Sequence, residues 1–141
     1  MKLHLTRRYQ FAASHRLASP RFSDAENRRV YGKCANPYGH GHNYVLEVTV
    51  SGAADPATGM VADLVELDGF VDSEVLAVFD HTNLNEQIPA FRERVPTTEN
   101  LCIELFDRLK RFPVARLERI RLEETGLNSF EYAGETQGSL A

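Results

Sequence analysis

The 141-residue chain predicts an α+β fold with an antiparallel sheet, and three observations carry that expectation. Residues 3–17, 40–52 and 119–125 each alternate apolar with polar side chains, the period of a half-buried strand. Between the second and third of these lie two stretches whose apolar residues recur every three or four positions, the spacing of a helix. The order strand, hairpin, helix, helix, strand keeps strands and helices in blocks, which stacks helices against an antiparallel sheet.

In the first strand Leu3, Leu5, Tyr9, Phe11, Ala13, His15 and Leu17 share a face that Arg7 interrupts, while His4 falls on the polar side. Residues 18–39 show no clean period, and a connection that long is uncommon in a compact domain unless it is functional. Within it, residues 24–31 are compatible with a short helical turn, and Cys34 lies near its end. In the second strand His40 and His42 continue the face of Tyr44, Leu46, Val48 and Val50. Asp55, Pro56 and Gly59 mark a turn, predicting a hairpin with a short strand over residues 60–62. Asp63 suits a helix N-cap, followed by the stripe Leu64, Leu67, Val71, Val75 and Val78. Residues 80–85 read as a polar turn past that helix. A second helix follows Pro96, capped by Thr97 or Thr98, with Glu99 at its positive end and Leu101, Leu105, Phe106 and Leu109 inward; Pro113 ends it. In the last strand Ile120, Leu122 and Glu124 share a face, so Glu124 points inward and requires hydrogen-bond donors. The tail beyond Tyr132 reads as frayed.

Length and composition bound the function. Residues 1–141 are long enough for one domain with its own core. The net charge of −4, with Lys and Arg scattered, excludes a nucleic-acid footprint. No apolar run approaches the ~18 residues of a membrane span. The N-terminal residues lack the apolar core of a signal peptide, and two cysteines make no disulfide framework, so the expected location is the cytoplasm.

The chemistry concentrates in three histidines. Residues two apart on a strand point the same way, so His40 and His42 converge, and His15 sits on the apolar face of the preceding strand. Burying three imidazoles without a metal or many hydrogen bonds is unfavourable, and three neutral imidazoles describe a zinc site with an open position, while imidazole also suits copper, nickel and iron. Cys34 reads in three ways: apolar filler, a fourth ligand that closes the site, or a thiolate base near a cation. Cys102 falls on the inner stripe of the second helix and reads as core. Asp80-His81 is either a plain helix-end turn or a carboxylate orienting a proton-exchanging imidazole. Glu124 is either half of a salt bridge or an acceptor of two parallel N–H bonds from a heterocycle with adjacent amino and ring N–H groups.

The ordered blocks Ala13-Ser14-His15-Arg16-Leu17, residues 32–44 around Cys34 and His40-Gly41-His42, residues 55–61, Asp80-His81-Thr82-Asn83-Leu84, Thr97-Thr98-Glu99-Asn100 and Glu124-Thr125 resemble the 6-pyruvoyltetrahydropterin synthase family over nearly all of residues 11–132. The resemblance implies a tunnelling fold, with a four-stranded antiparallel sheet and two helices on one face, assembled as a hexamer from two stacked trimers. It implies zinc on His15, His40 and His42, a base at Cys34, a proton-relaying pair at Asp80 and His81 from a neighbouring subunit, and a pterin anchor at Glu124, with Thr97, Thr98 and Glu99 at the substrate. The implied reaction converts 7,8-dihydroneopterin triphosphate to 6-pyruvoyltetrahydropterin. The alternatives are 6-carboxytetrahydropterin synthase, which takes the same substrate towards queuosine and other deazapurines, and a non-catalytic zinc-stabilised assembly protein. Lys33 and Arg16 are the basic residues nearest the motifs and the candidates for the triphosphate.

Overall fold

A computed structural model describes residues 1–135. The part of the expected frayed tail beyond residue 135 lies outside the described residues. Strand β1 (Leu3–His15) pairs antiparallel with β2 (His40–Gly52) over its whole length. Strand β4 (Arg116–Thr125) pairs antiparallel with β2, and β5 (Asn128–Tyr132) with β4. A two-residue strand β3 (Thr82–Asn83) runs parallel to β1 at Ala13 and Ser14, giving the order β3-β1-β2-β4-β5. The sheet is therefore five-stranded and mixed, which corrects the expected four-stranded antiparallel sheet. Strand β3 escaped the sequence because two residues are too few to show a period. Residues 60–62 form no strand, which corrects the expected hairpin: Asp55 accepts from the N–H groups of Ala57 and Thr58 and closes a compact turn on itself.

One face of the sheet carries Phe11, Ala13, Tyr44, Leu46, Val48, Val50, Ile120 and Leu122, all buried against the helices. Helix α2 (Leu64–Val71) starts where the Asp63 carboxylate accepts from Val65 N–H. It runs through a π-helical turn (Asp72–Leu76) into α3 (Ala77–Phe79). The wider turn shifts the apolar stripe, so Phe79 is fully buried while Val78 is only partly so. Helix α4 (Leu84–Gln87) is a single turn capped by Asn83. Helix α5 (Thr98–Leu109) is capped by the Thr97 hydroxyl, which accepts from Asn100 N–H, and buries Leu101, Cys102, Leu105, Phe106 and Leu109.

The misfit Arg7 has a specific partner. Its guanidinium makes a two-pronged bond to Asp68 of α2 (3.0 and 2.8 Å), and the Tyr9 hydroxyl donates to the same carboxylate at 2.7 Å. The long connection is also built. Helix α1 (Asp24–Tyr31) opens with a Ser23–Glu26 capping box, and its buried Asn27 accepts from Ser19 N–H and donates to Ser19 C=O. A 3₁₀ turn (Gly32–Ala35) carries Cys34, whose carbonyl takes Leu17 N–H at 2.8 Å. Gly39 has φ +72°, and a side chain there would meet the His15 carbonyl oxygen at 3.0 Å, so only glycine lets this turn pass so close to β1.

Candidate functional site

The register of β1 on β2 assembles the histidines. His15 lies directly opposite His40, and Ala13 opposite His42, so the two β2 rings flank the His15 ring on the apolar side. The three rings meet edge-on, with centroids 4.7 to 5.1 Å apart. One ligand atom from each falls within 4.8 Å of the others. His15 is 1% exposed, and its Nδ1 lies 2.8 Å from the Pro96 carbonyl, which has no proton to give. Nδ1 therefore carries the hydrogen, and the Nε2 lone pair is turned to His40 Nε2 at 3.1 Å. That separation is close to the ~3.3 Å edge of a tetrahedral zinc site with ~2.05 Å bonds.

Electrostatics favour neutral, ligating rings. Burial lowers His15 to about 4, with the neighbouring imidazoles adding to the effect against its bond to Pro96. Burial likewise lowers His42, opposed by the Glu124 carboxylate 3.8 Å away. The donor set thus fits a borderline cation such as zinc: three imidazoles, two of them disfavoured by burial from taking a proton and one tautomerically fixed by a backbone carbonyl.

Glu124 borders this cluster as strand parity predicts. The buried Thr98 hydroxyl donates to its Oε2, and the Asn128 amide donates to Oε1 at 3.1 Å. Burial alone would raise this carboxyl, but those two donors, with His42 and His15, hold it below its ordinary value. Tyr44, one step along the same face from His42, has a fully buried hydroxyl with no hydrogen-bond partner among the described residues. The Cys34 thiol is raised by burial and then by Glu124, and Cys34 is not part of the histidine cluster. Thr97 serves as the α5 cap, and Glu99 is exposed in the first turn.

Asp80 and His81 stand apart. Asp80 Oδ1 accepts from Ala12 N–H at 2.8 Å, and His81 N–H donates to the Ala12 carbonyl at 2.6 Å. These bonds hold His81 at φ +60°, a strained value for a non-glycine residue, with its ring 83% exposed and 3.6 Å from Asp80. The turn lines a cavity of about 410 Å³ with Ser14, Asn43 and Thr82. Ser14 and Asn43 belong to the polar face of the sheet, opposite the histidine rings. Within one chain the pair is therefore not brought to Cys34.

The sequence missed the supports. Asn85 clamps both backbone groups of Arg16 at the end of β1 (2.7 and 2.9 Å), Pro96 fixes His15, and Asn128 holds Glu124. No periodic signal marks such contacts, which join residues up to 81 positions apart.

A family model described as 6-pyruvoyl tetrahydropterin synthase matches residues 4–135. A 6-pyruvoyl tetrahydrobiopterin synthase from Poecilia reticulata is 47% identical over 133 residues, covering 94% of this chain and 90% of its own. The solved structure of Caenorhabditis elegans 6-pyruvoyl tetrahydropterin synthase superposes with a TM-score of 0.89 at 42% identity, covering 96% of this chain and 97% of its own. A putative 6-carboxy-5,6,7,8-tetrahydropterin synthase from Archaeoglobus fulgidus is 40% identical over 106 residues, covering 75% of this chain and 84% of its own.

Proposed function

Because the chain belongs to the 6-pyruvoyl tetrahydropterin synthase family, we propose that it converts 7,8-dihydroneopterin triphosphate to 6-pyruvoyltetrahydropterin and expels triphosphate, as a carbon–oxygen lyase. The observation that carries this reading is the convergence of His15, His40 and His42 beside the doubly bonded Glu124 carboxylate. Zinc bound to the three imidazoles would supply Lewis-acid polarisation of the substrate's side-chain oxygens.

The chain's own residues divide the remaining work. Glu124 accepts the amino and ring N–H groups of the pterin in two parallel bonds, with Thr98 fixing one carboxylate oxygen, and Thr97 and Glu99 forming the adjoining helix end. Cys34 takes the proton from the side-chain carbon next to the ring, and the Asp80–His81 pair passes protons as the double bonds shift. Arg16 and Lys33 line a cavity of about 470 Å³ beside the Cys34 turn, which supports them as the candidates for the triphosphate.

Assembly completes the site in this proposal. The outer edge of β1 from residue 3 to 11 has no strand partner among the described residues, and neither has the outer edge of β5. Such edges invite pairing with other copies, in support of trimers stacked as a hexamer. Both cysteines are free, which suits the cytoplasm. No helix among the described residues is long and apolar enough to cross a membrane.

The second reading is 6-carboxytetrahydropterin synthase, on the likeness to the Archaeoglobus protein. The pyruvoyl branch is favoured by the higher identity over more of the chain, 47% over 133 residues against 40% over 106. A purely structural zinc site is disfavoured because the clustered ligand atoms come from three histidines without Cys34. Incubating the zinc-loaded protein with dihydroneopterin triphosphate and resolving the products decides: pyruvoyl product supports the proposal, carboxy product selects the second reading, and zinc with no turnover selects the structural one. Chelation should abolish the reaction and added zinc restore it.

A further inference from the structure

The β4–β5 hairpin is built around Glu124. The pairing of the two strands slips between Glu123, opposite Ser129, and Thr125, opposite Asn128, so Glu124 is the additional residue of a bulge. Bulges re-aim a side chain and recur beside functional sites. Across the turn, the Asn128 amide N–H donates to Glu124 Oε1 at 3.1 Å. The amide is itself held: its oxygen accepts from the Thr125 hydroxyl at 2.5 Å, and Thr125 Oγ1 accepts from Leu127 N–H at 3.1 Å. Turning the amide over would set its oxygen against the ionised carboxylate, so the network fixes its orientation.

An ionised carboxylate offers about four acceptor positions, two on each oxygen. Thr98 occupies one on Oε2 and Asn128 one on Oε1. One position stays open on each oxygen, the pair that two parallel N–H donors need. We propose that Asn128 is a positioning residue that locks the Glu124 carboxylate with this open pair facing the ligand, and so makes the site select heterocycles presenting an amino group beside a ring N–H. This inference rests on the pterin reading above and adds a residue that none of the recognised motifs contains. Asn128 is exposed, so its replacement tests function with little effect on the core.

The test uses the full-length zinc-loaded chain and 7,8-dihydroneopterin as the binding probe. Asn128→Asp keeps the shape but replaces the donor by an anion facing Glu124. Its Kd should rise at least tenfold, on the order of 1.4 kcal/mol, with zinc content and Tm unchanged. Asn128→Leu, which removes the donor without adding charge, should weaken binding less. In turnover the loss should fall on KM rather than on kcat. In a Glu124→Gln background, Asn128→Asp should have no further effect, because the carboxylate it orients is gone. Binding by Asn128→Asp within twofold of the unmodified chain overturns the proposal. So does a loss that persists in the Glu124→Gln background, or one accompanied by an equal loss of Tm or zinc. Failure of the unmodified zinc-loaded chain to bind the probe overturns the pterin reading itself.

Discussion

The buried His15 ring makes the metal-free protein acid-sensitive in a window that can be calculated. Its folded-state pKa is about 4 against an ordinary 6.5, with burial as the main cause. Between these values the unfolded chain binds a proton at this ring and the folded chain does not, so stability is full above pH 6.5 and falls as pH drops towards 4. The loss between pH 7 and 5 is about 2 kcal/mol, rising to about 3 kcal/mol by pH 4. With a urea m-value of about 2 kcal/mol/M, the midpoint should fall by roughly 1 M between pH 7 and pH 5 from this group alone. Other groups titrate in the same range, so the measurement is a difference. Urea unfolding of the chelator-treated chain at both pH values is compared with that of His15→Gln, in which the titrating ring is absent. The substituted chain should lack about 2 kcal/mol of the pH dependence. Identical pH dependence in the two proteins would refute the claim that burial holds this ring neutral and ready to ligate.

Further outcomes follow from other parts of the structure. Cys34→Ala should lower turnover by roughly 10²- to 10⁴-fold, the range of a general base, while metal analysis still finds one zinc per chain; loss of zinc would make the thiol a ligand. Phe79→Ala should cost about 3–5 kcal/mol in urea unfolding, since the ring is fully buried, 6.3 Å from Phe11 and beneath the Arg108 guanidinium. Asp68→Ala should cost under about 1 kcal/mol despite the two-pronged bond to Arg7, because the side chains are 42% and 39% exposed; a thermal melt checks it.

The long strands were legible because burial on one face imposes period two over many residues. Strand β2 runs His40–Gly52 as its alternation predicts, and parity alone put His15, His40, His42 and Glu124 on the inner face. The π-helical turn was not legible, since nothing in Asp72-Ser73-Glu74 distinguishes it from an ordinary helix. Strand β5 was missed because its five residues follow a turn of only two, and the preceding strand pattern ended at Thr125. The clustered histidines and Glu124 showed as residue types on a face, whereas their supports, Pro96, Thr98 and Asn128, are contacts made by the tertiary fold. A carbonyl that fixes a tautomer leaves no trace in composition.

Cys34 lies in the Gly32–Ala35 turn and the Asp80–His81 pair beside the polar face of the sheet, so the proposed proton-transfer groups are not brought together within one chain. In the metal-free chain burial and Glu124 keep the Cys34 thiol raised, so the proposed proton removal by Cys34 would be favoured by positive charge near the histidine cluster. The His81 ring is exposed on the polar side, and its backbone is pinned to Ala12. In the proposed assembly, a second copy pairing along the open β1 edge is the source of the His81 that completes each site. Cys34→Ala and His81→Ala chains should each be strongly impaired alone. Unfolded together and refolded at equal ratio, they should recover about a quarter of full activity, because a site drawing one residue from each of two randomly chosen chains is intact in that fraction. If the pair instead works within its own chain, every site in the mixture carries one defect, and no activity returns.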